Sequence, residues 1–384
     1  MPVLTEIPVR ATTDAFPRLS DARDLWLELS ERAAISPYQT YSFASAWFET
    51  IGRAEGVRPF IIVERDHLGR PRALLPLCVQ TRAGCDIAQF LGGRESNFNL
   101  PLLAPGARYD GAGLRALLLK AARAAQSVPD LIYLRNQPRR FDAFDNPLAF
   151  PDARPSASFA YGTTLPARVE ELAARLSKDA RKKLKKKEAR LAEMGALSYE
   201  HGVAGTRALD VIETLIRQKT ARFSDMGVVD SFERRRVRAF LDRLLDQKGD
   251  GALELHALSV GGRIAATYAG IVRGGRFSGM LNSFEMDEEL ARSSPGDLLL
   301  HALMRNLVSR GMTHFDLGAG EARYKNAVCD ETIELCDVIM PVSTRGMALA
   351  PAFSAYLQLK RRVKQNPALS GAYFRAKRLA TRAG

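Results

Sequence analysis

Asp316, Glu321, Tyr324 and Lys325 stand close together around two glycines, in the run Phe315-Asp316-Leu317-Gly318-Ala319-Gly320-Glu321-Ala322-Arg323-Tyr324-Lys325. The alternation predicts a buried strand ending near Asp316, with the glycines opening a loop. An acid, a phenol and an amine crowded at the carboxyl end of such a strand suit proton transfer beside a bound ligand. Strand alternation also puts His314 on the same face as Asp316, so both are candidate bases. Tyr324 supplies the phenol of this set, with an ordinary pKa of ~10. Lys325 is placed to hold an anionic part of a donor or acceptor. The plainer reading is a turn capped by Asp316 and a surface pair between Glu321 and Lys325.

A second constellation precedes a helix: Arg292-Ser293-Ser294-Pro295-Gly296-Asp297. Small residues followed by a proline in the first turn leave free N–H groups at the positive end of a helix. Arg292 adds a full charge, which makes Arg292, Ser293, Ser294 and Gly296 a candidate phosphate cradle. An ordinary capped helix with Ser294 as its cap is the alternative. Gly318-x-Gly320 has no third glycine and no dinucleotide-type helix after it, which excludes nicotinamide-dinucleotide binding.

These residues need elements to hold them. In the first half the pattern predicts helices over 20–32, 43–51 and 113–125 and strands over 57–63, 72–79 and 130–134. The proline-rich stretch 141–166 reads as a linker with one strand near 158–163. The second half repeats the order. A long helix over 169–194 leads to a strand over 197–201, helices over 208–223 and 232–247, and strands over 253–259, 263–272 and 276–283. Gly261-Gly262 and Gly274-Gly275 suit hairpin turns between those three strands. A helix over 295–309, a strand over 313–317 and a late strand over 335–341 follow, a crossover unit beside an antiparallel meander. The expected fold class is α/β (α+β), each half a mixed, mainly antiparallel sheet flanked by helices.

The segments Ser294-Pro295-Gly296-Asp297-Leu298-Leu299-Leu300 and 310–325 resemble the BioF2-like or CelD-like acetyltransferase family of the GNAT superfamily. So do the basic stretch 176–184, Tyr38-Gln39-Thr40-Tyr41 and Ala73-Leu74-Leu75-Pro76-Leu77. The resemblance implies two tandem GNAT-like domains of Fem-type architecture and an acyl-thioester donor. The expected domains are 1–155 and 156–345, with 346–384 as a basic, aromatic tail whose plainer reading is a terminal helix packed on the body. The resemblance also implies direct transfer, in which an amine or hydroxyl attacks the thioester while backbone N–H groups of a splayed middle strand hold the oxyanion, with Asp316 as base or base-orienting residue and Tyr324, whose pKa of ~10 is close to a thiol's ~8.5, as the acid for the leaving thiolate. One departure bears on the donor. Pro295 and Asp297 occupy positions of the pyrophosphate loop that are usually small, and the carboxylate of Asp297 opposes a pyrophosphate at close range.

The chain has 384 residues, 56 of them Lys or Arg and 43 Asp or Glu, for a net charge of +13. Two segments hold the whole excess: 175–190 nets +7 and 351–384 nets +8. The remainder is near neutral, which argues against a general nucleic-acid coat, and no DNA partner is expected. In 351–384, Phe353, Tyr356, Tyr373 and Phe374 accompany Lys360, Arg361, Arg362, Lys364, Arg375, Lys377 and Arg378, a pattern that suits an anionic membrane surface. The four cysteines make no CxxC pair and no zinc spacing, so no metal is expected. No run reaches the ~18 apolar residues of a bilayer span and no signal peptide is expected, so the expected location is cytoplasmic, peripheral on the inner membrane face. With the resemblance, these features imply an acyl-CoA-dependent N-acyltransferase with acyl-CoA as co-substrate and a lipid-borne amine acceptor, a sphingoid base first among candidates. The alternatives are acetylation in exopolysaccharide or cellulose production, Fem-like aminoacyl transfer, and a non-catalytic membrane adaptor.

Overall fold

The three meander strands expected in the second half form as read, at Leu253–Val260, Arg263–Arg273 and Arg276–Phe284. In a computed structural model that describes residues 11–226, 234–249, 251–366 and 368–369, both glycine pairs between these strands take positive φ: 55° and 82° at Gly261 and Gly262, 51° and 76° at Gly274 and Gly275. Two left-handed residues in a two-residue hairpin match the right-handed twist of the strands.

The chain divides into two units. The second comprises residues 157–333 and those from Gln358 onward. Its seven-stranded sheet runs in the order Leu197–His201, Leu253–Val260, Arg263–Arg273, Arg276–Phe284, His314–Ala319, Ala160–Thr164, Glu331–Ile333. Every pairing is antiparallel except that of Arg276–Phe284 with His314–Ala319. The helix Pro295–Ser309 makes that crossover. It buries Leu298, Leu299, Leu303 and Leu307 against Phe277, Phe315 and Tyr268. On a fifteen-residue amphipathic helix, burying four leucines is worth several kcal/mol before ordering costs. The expected single helix over 169–194 is two, Val169–Ala174 and Lys178–Met194. The break is a local preference for a cap: Ser177 is extended and its hydroxyl accepts the Ala180 N–H.

The first unit comprises residues 1–156 and 334–357. Its main strand order is Thr12–Phe16, Arg58–Arg65, Pro71–Arg82, Cys85–Phe90, Leu131–Pro138, Leu335–Pro341, Arg154–Pro155, again with one parallel pair, Cys85–Phe90 with Leu131–Pro138. The plan of the second sheet is thus repeated. The strand Leu335–Pro341 corrects the expected boundary at 345. It pairs antiparallel with Leu131–Pro138 and with Arg154–Pro155, so the second half of the chain returns a strand to the first sheet. The tail follows the plainer reading, a terminal helix packed on the body, in its first part. The helix Thr344–Gln365 begins it, with Gly346 and Ser354 buried and Phe353 edge-on to Tyr133 at 5.1 Å. Tyr373, Phe374, Arg375, Lys377 and Arg378 lie outside the described residues.

Candidate active site

The parallel pair in the second sheet is short. Only Arg276, Phe277 and Ser278 pair with His314, Phe315 and Asp316. Beyond Ser278 the strand Arg276–Phe284 continues to pair with Arg263–Arg273 on its other side, and His314–Ala319 with Ala160–Thr164. Among the described residues the two parallel strands do not pair again, so a notch opens between their carboxyl ends. Packing helps to shape its apex. The ladder between Arg263–Arg273 and Arg276–Phe284 shifts register at Ala269 and Gly270, where any side chain would collide with the Phe277 ring.

Asp316 sits at the apex and is 1% exposed. The Arg276 guanidinium donates to one carboxylate oxygen at 2.5 Å, and the Ser278 hydroxyl donates to the other at 2.8 Å. Burial pushes this carboxyl above the usual range, while Arg276 and Ser278 pull it back. Both oxygens are engaged away from solvent, so the geometry suits a residue that fixes the apex better than one that takes a proton from an acceptor. His314 lies at the opposite, amino end of the same strand, its Nδ1 2.9 Å from the Thr313 hydroxyl. The structure does not bring it to the notch.

Tyr324 does reach the notch. The short helix Arg323–Val328 carries it, and its hydroxyl accepts from the Asn282 side-chain amide at 3.0 Å, on the far arm. Burial raises the phenol above its ordinary value, so it holds its proton. Lys325 turns inward, away from any bound donor. Its ammonium donates to the carbonyls of Gly318, Ala319 and Gly320 at 2.9, 3.2 and 2.8 Å, and lies 5.5 Å over the Tyr161 ring. It closes the strand end that the two glycines leave open, and burial pulls it down to about 8. Glu321 is exposed and accepts from the Phe159 N–H and the Gln365 side chain, so the expected surface pair with Lys325 does not form.

Sequence reasoning missed Lys219. It comes from the helix Gly205–Asp225, and its ammonium donates to the Asn282 carbonyl at 3.3 Å. Burial, with Arg222 and Lys325 adding repulsion, pulls it down to about 8. Asn282 therefore joins an amine near neutrality on its backbone to a protonated phenol on its side chain.

At the helix start Ser294 takes the left-handed conformation, φ 49°, and no side chain caps the helix. Ser293 is fully buried, and its hydroxyl has no hydrogen-bond partner among the described residues. Gly296 packs toward Phe284, the last residue of one arm of the notch. Arg292 faces outward and pairs with Glu288, so it is not drawn into the cradle. Asp297, which opposes an anion by its own charge, is matched by Lys187 at 2.9 Å. No cluster of three His, Cys, Asp or Glu among the described residues could hold a metal ion.

Residues 178–326 match the family described as acetyltransferase (GNAT) domain. The chain carries a GNAT acetyltransferase domain. It is therefore a transferase, and the notch, the crossover helix and Tyr324 all fall within this GNAT domain. Solved structures resemble the fold over nearly nine-tenths of the chain. FemX aligns with a TM-score of 0.54 at 11% identity, over 89% of this chain and 99% of FemX. The C-terminal domain of a putative lysylphosphatidylglycerol synthetase from Agrobacterium fabrum aligns with a TM-score of 0.51 at 12% identity, over 88% of this chain and 97% of that one. At such identities the likeness is one of fold, and it agrees with the repeated plan of the two sheets. No curated protein matches the sequence.

Proposed function

We propose that the protein is an acyl-CoA-dependent N-acyltransferase whose acceptor is an amine, best a lipid-borne amine of the sphingoid-base type. The observation that carries this reading is the notch beside an uncapped helix start, with pairing that stops at Ser278 and Asp316. A thioester laid into the notch presents its carbonyl to the strand Arg276–Phe284 beyond Ser278, where backbone N–H groups stabilise the oxyanion. Its phosphates lie toward Ser293, Ser294 and Gly296 at the positive end of the helix. The amine nitrogen attacks the carbonyl carbon, and its proton passes to the neutral amine of Lys219. The carbon–sulfur bond breaks, and the leaving thiolate takes the phenolic proton of Tyr324. Asp316 and Arg276 hold the apex rigid.

Support for a lipid-borne acceptor lies on the helix Thr344–Gln365. Tyr356 and Leu359 are 58% and 61% exposed, among Lys360, Arg361, Arg362 and Lys364. Apolar and basic side chains alternating on an exposed helix suit a headgroup layer. No helix among the described residues is long and apolar enough to cross a membrane.

The test measures thiol release from palmitoyl-CoA and acetyl-CoA with sphinganine in anionic vesicles and with a short soluble amine. Release should require both donor and amine, favour the lipid amine, and fall about 10²-fold or more in Tyr324→Phe. Absence of amine-dependent release from any acyl-CoA refutes the donor. Product formed only from acyl-carrier protein or aminoacyl-tRNA reassigns it. The exposed lysines 182, 183, 185 and 186 favour an RNA-borne donor as the second reading.

A further inference from the structure

The helices Val169–Ala174, Lys178–Met194 and Pro295–Ser309 and the strand Leu197–His201 enclose a cavity of about 240 Å³ that the transfer chemistry does not use. Its wall is apolar: Leu172, Ala173, Leu176, Leu184 and Leu298. Its rim is not. Arg181 and Lys185 come from one helix and Arg305 from another, and the only carboxylate on the rim is Glu188. Among the described residues, none of the three cations takes part in an ion pair. Glu188 is held by the Tyr199 hydroxyl, which donates to it at 3.0 Å. Burial and the neighbouring Arg305 and Lys187 pull the His301 imidazole down, though Asp297 opposes them, so the remaining rim group adds no positive charge at neutral pH.

An apolar chamber with three unneutralised cations at its mouth has a definite complement. We propose that this cavity binds a single-chain lipid bearing a phosphate monoester, with the acyl chain against Leu172, Leu184 and Leu298 and the phosphate against Arg181, Lys185 and Arg305.

Two magnitudes select that ligand. The volume is below the ~300–1,000 Å³ of sites for drug-sized molecules, so it has room for a stretch of one chain and none for a second chain or a nucleotide. Three cations and one carboxylate leave the rim at a net +2, and a phosphate monoester carries about −1.5 to −2 at pH 7. A fatty-acid carboxylate would neutralise half of the rim and a neutral glyceride none. Arginine's planar fork also matches phosphate geometry. The site lies between the crossover helix, the helices Val169–Ala174 and Lys178–Met194 and the strand Leu197–His201, whereas the notch lies between the strands Arg276–Phe284 and His314–Ala319, and the inference stands on this geometry independently of the donor.

The probe is dodecanoyl lysophosphatidate below its micelle concentration, titrated calorimetrically into the full chain. Dodecanoate, monododecanoylglycerol and inorganic phosphate are the comparison arms. The phosphate lipid should bind tightest, and its affinity should fall as salt rises. Arg181→Glu with Arg305→Glu should weaken it at least tenfold, and Ala173→Trp, which fills the chamber from an exposed position, should weaken it similarly. Inorganic phosphate binding as tightly as the lipid would show an adventitious anion site and overturn the proposal. Equal binding of the neutral glyceride, or unchanged affinity in either variant, would overturn it too. Far-ultraviolet circular dichroism of both variants verifies that any loss belongs to the site.

Discussion

Replacing Arg276 by Met would leave Asp316 as a fully buried carboxylate with one hydroxyl for company. Arg276 is 11% exposed at its side chain and Asp316 1%, so water has little access to take the place of the guanidinium. Removing one partner of a pair buried this deeply costs about 3–5 kcal/mol, a large share of the ~5–15 kcal/mol that holds a domain folded. The reverse substitution, Asp316→Asn, should cost less, about 1–3 kcal/mol. The amide oxygen still accepts from Arg276, and the guanidinium lies nearer the surface. The pH dependence has a definite sign. Burial raises the Asp316 carboxyl in the folded state. A carboxyl raised above its unfolded value of ~4 contributes stability in full below that value, and the contribution is lost as pH rises through the folded value. Without Arg276 the carboxyl rises further, so the cost of Arg276→Met should be greater at pH 7 than at pH 4.5. The assay is denaturant unfolding. Both tryptophans, Trp26 and Trp47, belong to the first unit, so fluorescence reads that unit while circular dichroism reads both. Their difference reports the second. A cost below about 1 kcal/mol, equal costs at the two pH values, or Asp316→Asn proving the more damaging would refute the reasoning.

Other outcomes follow from single contacts. With Lys219 pulled down to about 8, kcat/KM should rise with pH through that value, and Lys219→Met should abolish this limb while leaving the fold intact by circular dichroism. A Cβ on Gly346 would overlap the Asp130 carbonyl, so Gly346→Ala should lower the stability of the first unit by about 2 kcal/mol or more, read from tryptophan fluorescence. His256 is fully buried beside His201 and Phe277, and burial pulls it down to about 3. Its depressed value gives stability present above ~6.5 and lost as pH falls toward 3. Nitrogen-edited NMR should find its ring neutral at pH 5, and a midpoint near 6.5 would contradict the packing.

What was legible in the sequence was local. The glycine pairs of the meander, the Ser294-Pro295 helix start and the strand Leu335–Pro341 all carry short-range signals, and all form. The sheet that Leu335–Pro341 joins was not legible. Its partner Leu131–Pro138 is far away in the chain, and both strands read simply as apolar. The same limit hid Lys219 and Asn282, which meet only because a helix crosses the sheet. Arg276 did leave a signal. A buried acid in an apolar strand requires a cation near it, and the strand that the structure sets beside 314–316 begins with Arg276. Phe353 misled for the opposite reason: its spacing among basic residues suits a membrane, while its ring packs on Tyr133.

The return of Leu335–Pro341 to the first sheet also sets the order of events on the ribosome. This strand lies between Leu131–Pro138 and Arg154–Pro155, so the first sheet stays split when its own half of the chain has been made. The second sheet has all its strands once Ile333 has emerged, before the first, which waits for Pro341. Synthesis at ~5–20 residues per second leaves Leu131–Pro138 with an open edge for about 10–40 s. An unpaired, apolar strand edge is a template for wrong pairing. Nascent chains stalled before residue 335 should therefore be the aggregation-prone and chaperone-bound species, and the amino-terminal sheet, begun first, is the last to be completed.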